Sequence, residues 1–235
     1  IHSRDWIKEF LTANGDLVDI VSFHRNPFGN FDPFPDEFMK SSQEWDYIIP
    51  NLRQLILSTT GRDIPIAVTE VNSNWSNRSR EETTPDSFLN AIWWADSLGR
   101  MIGQHVTIVN QFALDGSGGW ALLGSQKPRP SYYVYQIFSE FGNQVLFSSS
   151  GIEKVSAYAA RKADGSLSVI LINRSNDPQQ VKMVLRNFTP QGSASWRLLD
   201  SAHMAAEMPS LQISNSSHLS LPALSVSLFL IPATN

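Results

Sequence analysis

Ile66-Ala67-Val68-Thr69-Glu70-Val71-Asn72-Ser73-Asn74-Trp75 is the stretch that decides how the first half of the chain is built. From Ile64 to Val71 the run is continuous and β-branched rather than alternating, the pattern of a strand covered on both faces in a parallel sheet. Glu70 interrupts it at the C-terminal end. A carboxylate there is unfavourable unless paired or functional, and the C-terminal ends of barrel strands are where catalytic groups stand. Two readings of Glu70 are open on this ground: a catalytic acid, or a carboxylate that caps the following loop or pairs with a neighbouring Arg.

The flanking segments keep the rhythm of helix and strand. Asp5 to Ala13 spaces Trp6, Ile7, Phe10 and Leu11 along one helical face and stops at Asn14-Gly15. Leu17 to Phe23 reads as a strand, followed by a loop rich in Pro, Phe and Asp. Ser42 to Thr59 is a helix closed by Gly61, in which Pro50 implies a kink or a start. Pro85 to Ile102 is the next, with Asp86 as a cap; then come a strand, Val106 to Leu114, and a helix, Ser131 to Phe141, ended by Gly142.

Residues 1–142 therefore predict the C-terminal part of a (β/α)8 barrel. A whole barrel takes ~250 residues, so an N-terminal barrel segment, or another chain, is expected to complete the sheet. From 143 to 235 the runs become short and are separated by turns such as Asp164-Gly165 and Pro190-Gln191-Gly192. Seven strands are expected: Val145 to Ser148, Val155 to Arg161, Ser168 to Asn173, Gln180 to Leu185, Ser195 to Leu199, Leu219 to Leu221 and Ser225 to Ile231. They predict a small β-sandwich domain, so the fold class is α/β followed by all-β.

Composition narrows the chemistry. Of 235 residues 42% are hydrophobic, and 18 Lys plus Arg against 22 Asp plus Glu leave a net charge of −4, without the basic runs that nucleic acid requires. No Cys is present, and the five His have no metal-binding spacing, so no metal or cofactor is called for. The longest apolar stretch, Leu224 to Pro232, is far short of the ~20 residues of a membrane helix. Five Asn-x-Ser/Thr sequons, at Asn74, Asn77, Asn173, Asn187 and Asn215, carry little weight in a chain rich in Ser and Asn. The compartment is not legible.

Other strand ends add polar groups to the same mouth. His24 and Arg25 follow the first strand, and Gln111 and Asp115 follow the third. Trp75 and Trp120 offer flat faces to the C–H side of a sugar ring, and Asn72, Asn74 and Gln111 offer hydrogen bonds to hydroxyls. Against this stand packing under a loop for either Trp, a rim hydrogen bond for His24 and a solvated Arg25.

Val18-Asp19-Ile20-Val21-Ser22-Phe23-His24-Arg25-Asn26-Pro27, then Ile66 to Ser73, then Gly119-Trp120-Ala121-Leu122-Leu123 leading to Lys127-Pro128-Arg129-Pro130-Ser131-Tyr132-Tyr133, resemble strands six, seven and eight of clan A glycoside hydrolases. Their order is most similar to family 39 β-xylosidases and the arabinofuranosidase-like families, in which a small β-sandwich also follows the barrel. The resemblance implies a retaining mechanism with Glu70 as nucleophile, no cofactor, and His24 near the nucleophile or the sugar. It also implies an acid/base Glu in an Asn-Glu pair closing strand four. No Asn-Glu dipeptide occurs in this sequence, and Asp115, Asp32, Asp36, Glu37 and Glu44 do not match that position. The acid/base is thus expected from a segment preceding Ile1. Without it, general-acid assistance of ~10² to 10⁴ in rate is missing. The expected partner is a carbohydrate substrate. The alternative is a non-catalytic carbohydrate-binding or scaffold remnant of such an enzyme.

Overall fold

The computed structural model describes residues 3–233. Its first half runs α1 (Ser3–Asn14), β1 (Val21–Arg25), α2 (Pro35–Ser41), α3 (Trp45–Thr60), β2 (Ile66–Val71), α4 (Phe88–Gly103) and β3 (Ile108–Gln111). The three strands form one parallel sheet with β2 in the middle. A minor sheet of β4 (Asp115–Gly116), β5 (Leu123–Gly124) and β6 (Lys127–Pro128) then precedes α5 (Pro130–Phe138).

Several expectations shift in detail. The first strand starts at Val21 rather than Leu17, because Val21 N–H is the group that bonds to Pro65 O, and Leu17 is left exposed. The Pro- and Phe-rich loop contains α2. Pro35 sits in its first turn beside Asp36 and Glu37, as a helix N-terminus favours, and Phe38 and Met39 are buried. Pro50 lies inside α3 and does not divide it. Ser87, not Asp86, caps α4: its Oγ accepts from Asn90 N–H at 3.0 Å, while Asp86 accepts from the Arg80 N–H and the Thr84 hydroxyl.

The second half is β7 (Gln144–Leu146), β8 (Val155–Arg161), β9 (Leu167–Asn173), β10 (Gln179–Val184), β11 (Ser193–Leu199), β12 (Ala206–Gln212), β13 (Ser216–Leu221) and β14 (Ser225–Ile231). Six of these form one sheet in the order β12-β11-β14-β9-β8-β7, and β10 pairs with β13 in a separate ribbon. The strand β12 was not expected. It holds the sheet edge, is largely exposed and contains Pro209, which is tolerated there and weakens the strand signal.

Burial explains the strand sequences. Every residue of β9 is buried, whereas β10 and β13 alternate between buried and exposed. The central strands are covered twice. Val169, Leu171 and Phe229 join Val181, Met183 and Leu219 in the sandwich interior, while Ile170, Ile172, Val226 and Leu228 pack into the core that contains α4. That second contact is why α4 is buried nearly all round, Trp93 and Trp94 included.

A buried polar hub ties the halves together. Asp96 on α4, inaccessible to solvent, accepts from Ser42 Oγ at 2.6 Å, Arg100 Nε at 2.9 Å and the Tyr158 hydroxyl at 2.7 Å. Arg174 Nε lies 3.6 Å away. Burial pushes the Asp96 pKa up, but Arg100 and Arg174 outweigh it and the net shift is downward.

Candidate active site

Glu70 is the penultimate residue of the middle strand, where neighbours on both sides restrict the backbone. A register shift after Phe23 pairs His24 with Glu70, so the two side chains stand side by side at the C-terminal end of the sheet. His24 Nδ1 is 3.6 Å from Glu70 Oε2, an approach longer than a hydrogen bond. The carboxylate is partly open, 35% exposed against 60% for the imidazole, and so can meet a ligand without local unfolding.

Arg25 is not a solvated rim residue. Its guanidinium donates twice to Glu44, through Nε at 3.0 Å and through a second nitrogen at 2.5 Å, and Glu44 is only 7% exposed. The bond to Glu44 raises the Arg25 pKa against the opposing effect of burial. This pair fastens the end of β1 to the turn before α3. It removes Glu44 from the free carboxylates near the mouth, as Arg78 does for Asp32. Asp115 is exposed in β4.

The asparagines take a different part from the one expected. Asn72 is buried; its amide donates to Phe112 O at 2.5 Å and Trp120 O at 3.2 Å, and its oxygen accepts from Ser73 N–H. Asn74 is fully buried, donating to Phe31 O and accepting from Ser76. Both therefore frame loops instead of offering hydrogen bonds to hydroxyls. Gln111 is corrected too: it pairs in register with buried Val71 and so lies on the face of the sheet opposite Glu70. Its Oε1 is buried without a hydrogen-bond partner among the described residues.

Trp75 and Trp120 lie in the loops that follow β2 and β3. Trp75 is 54% exposed and rests on Gly29, where a Cβ would meet the indole nitrogen at 2.3 Å. Trp120 is half-buried, and its indole N–H donates to Asn74 O at 3.0 Å. Phe112 stands edge-on to it with ring centroids 5.3 Å apart and is 42% exposed. Phe112 and Asn110 were missed. The alternation of β3 carries the signal: Ile108, Asn110 and Phe112 are exposed, whereas Val109 and Gln111 are less so.

A cleft of about 640 Å³ lies elsewhere, between the end of α4 and β7–β8. Its Arg100 and Arg174 already pair with Asp96, and Arg100 with Asp46 as well. Among the described residues no group of three or more His, Asp or Glu could hold a metal ion, and no helix is long and apolar enough to cross a membrane.

Known proteins resemble this chain in part. A family model for the C-terminal immunoglobulin-like domain of D-apionate lactonase matches residues 153–228. Heparanase of Bos taurus is 22% identical over 153 residues, 61% of this chain and 26% of its own length. Among solved structures, a bifunctional glucanase-xylanase from a metagenome library is 24% identical with a TM-score of 0.76, over 98% of this chain and 47% of that one. A Paenibacillus polymyxa xyloglucanase of family 44 follows with 14% identity and a TM-score of 0.75, over 98% of this chain and 50% of that one. A Thermotoga maritima α-L-arabinofuranosidase has 14% identity and a TM-score of 0.73, over 97% and 55%. The chain thus spans about half the length of these solved structures and about a quarter of heparanase. At such identities the likeness is one of fold: a parallel α/β portion followed by a β-sandwich.

Proposed function

We propose that this chain is the C-terminal part of a retaining glycoside hydrolase, of family 39 or arabinofuranosidase-like type, acting on plant poly- or oligosaccharides. Residues 1–142 would be its barrel portion and 143–235 its sandwich domain. The observation that carries the proposal is the partly open Glu70 carboxylate at the C-terminal end of the middle parallel strand, beside His24, with Trp75 in the loop that follows the same strand and the Phe112–Trp120 pair in the loop that follows β3. A deeply buried, fully paired carboxylate like Glu44 could not reach a substrate.

In this proposal Glu70 attacks the anomeric carbon, the glycosidic oxygen leaves with a proton from an acid/base carboxyl, and a glycosyl ester forms on Glu70. Water deprotonated by the same acid/base then hydrolyses the ester. The two carboxyls of a retaining pair stand about 5 to 5.5 Å apart. The second is assigned to a segment outside these 235 residues, which would also extend the sheet beyond the edges of β1 and β3. His24 stands beside the carboxylate, and the aromatic side chains receive the apolar face of the sugar.

Trapping tests this directly. The protein, with its preceding polypeptide restored, is incubated with activated 2-fluoro xylosides, arabinofuranosides and glucosides, and the labelled peptide is mapped by mass spectrometry. The expected adduct is on Glu70 and is absent in Glu70→Gln. An adduct on another residue overturns the nucleophile assignment, and no adduct with any probe favours the non-catalytic remnant.

A further inference from the structure

Two loops leave the C-terminal ends of β2 and β3, and one residue holds both. Asn72, two positions after Glu70, gives one amide hydrogen to Phe112 O and the other to Trp120 O. These carbonyls flank the loop bounded by exposed Phe112 and half-buried Trp120. The loop is further closed by Ala113 N–H to Trp120 O at 3.3 Å and Leu122 N–H to Ala113 O at 2.8 Å. Asn77 makes a second, outer tie: its Nδ2 donates to Ser117 O at 3.0 Å and its Oδ1 accepts from Trp120 N–H at 3.3 Å. Gly118 makes room for that amide, since a Cβ there would lie 2.0 Å from Asn77 Nδ2.

We infer that Asn72, with Asn77 behind it, is a positioning residue: it holds the Phe112–Trp120 aromatic wall at a set height and angle relative to Glu70, so that the sugar bound against the wall presents its anomeric carbon to the carboxylate. The inference rests on the proposed role of Glu70, but the clamp itself does not. Asn suits the task because its planar amide supplies two donors diverging from one atom; Asp at this position would turn a carboxylate toward two carbonyls. Because Asn72 is buried, its removal leaves Phe112 O without its donor and Trp120 O with only the long bond from Ala113 N–H, and the loop loosens locally while β2 and α4 stay packed.

The test uses Asn72→Ala, together with Asn77→Ala in case the first variant folds poorly, since Asn77 is exposed. Hydrogen exchange should show the Ala113, Leu122 and Leu123 amides exchanging about tenfold faster or more in Asn72→Ala, and less so in Asn77→Ala, with β2 unchanged. Labelling with the activated 2-fluoro glycoside should need about tenfold more probe for half-maximal rate, while the saturating rate of Glu70 modification changes by less than about threefold. A purely structural role would leave that split unmoved. Unchanged loop exchange overturns the clamp, and a loosened loop with unaltered probe affinity overturns the role of the wall in sugar binding. If the parent protein takes no label at all, the nucleophile assignment fails, and the exchange data still decide the clamp.

Discussion

Replacing Asp96 with alanine removes an acceptor shared by Ser42, Arg100 and Tyr158 at a site that water does not reach, and leaves Arg174 without its nearest anion. Breaking a buried ionic cluster by deleting one partner costs about 3–5 kcal/mol. Arg100 retains Asp46, which places the expectation at the lower end, about 3 kcal/mol, or roughly 10 °C in Tm for a chain of this size. Urea unfolding followed by tryptophan fluorescence measures it as a lower midpoint at unchanged slope. The acid dependence tests the charge itself. Asp96 titrates lower in the folded state than its unfolded value near 3.9, so its stabilisation is complete above that pH and is lost as pH falls through the folded pKa. The stability gap between wild type and Asp96→Asn should therefore hold from pH 7 to about 5 and narrow as pH falls below about 4. A gap below about 0.5 kcal/mol at pH 7, or one that does not narrow on acidification, refutes the reasoning.

Glu70→Gln should change the urea midpoint by no more than about 0.5 kcal/mol in stability, because the carboxylate is partly exposed and His24 stands 3.6 Å away, beyond hydrogen-bond distance; a loss above about 2 kcal/mol would mark it as structural. Arg25→Met strands the buried Glu44 and should cost about 1–3 kcal/mol by the same measurement, the lower figure reflecting the partial exposure of Arg25. Gly99→Ala would bring a Cβ within 2.3 Å of the Tyr158 ring and should cost about 1–3 kcal/mol. Since moving that ring breaks its bond to Asp96, the loss should be less than additive with Asp96→Ala in a double-mutant cycle.

The strands of the second half were legible where burial is uniform or alternates cleanly. β9 is buried throughout and β14 at all but Leu230, and β10 and β13 show one wet face. At the mouth, Glu70 and His24 were legible because a polar residue at the end of an apolar strand stands out. Asn72, Asn74 and Gln111 were not placed, because a sequence shows that an amide is present but not which carbonyl it meets. For Asn72 those carbonyls lie 40 and 48 residues away. Phe112 was passed over for the opposite reason: in an apolar strand an aromatic residue looks like core, and here it ends on the open side.

Local order was written in the chain itself: which segments become helix or strand, that two rhythms follow one another, and that an acid ends the middle strand of the first. These follow from side-chain periodicity, whose range is a few residues. Which groups are left free to act was decided only in three dimensions. Arg25 and Asn72 became scaffold, and Asp96 became the bond between two layers, because each found partners far away in sequence. A buried polar group must satisfy its hydrogen bonds with whatever the fold brings beside it.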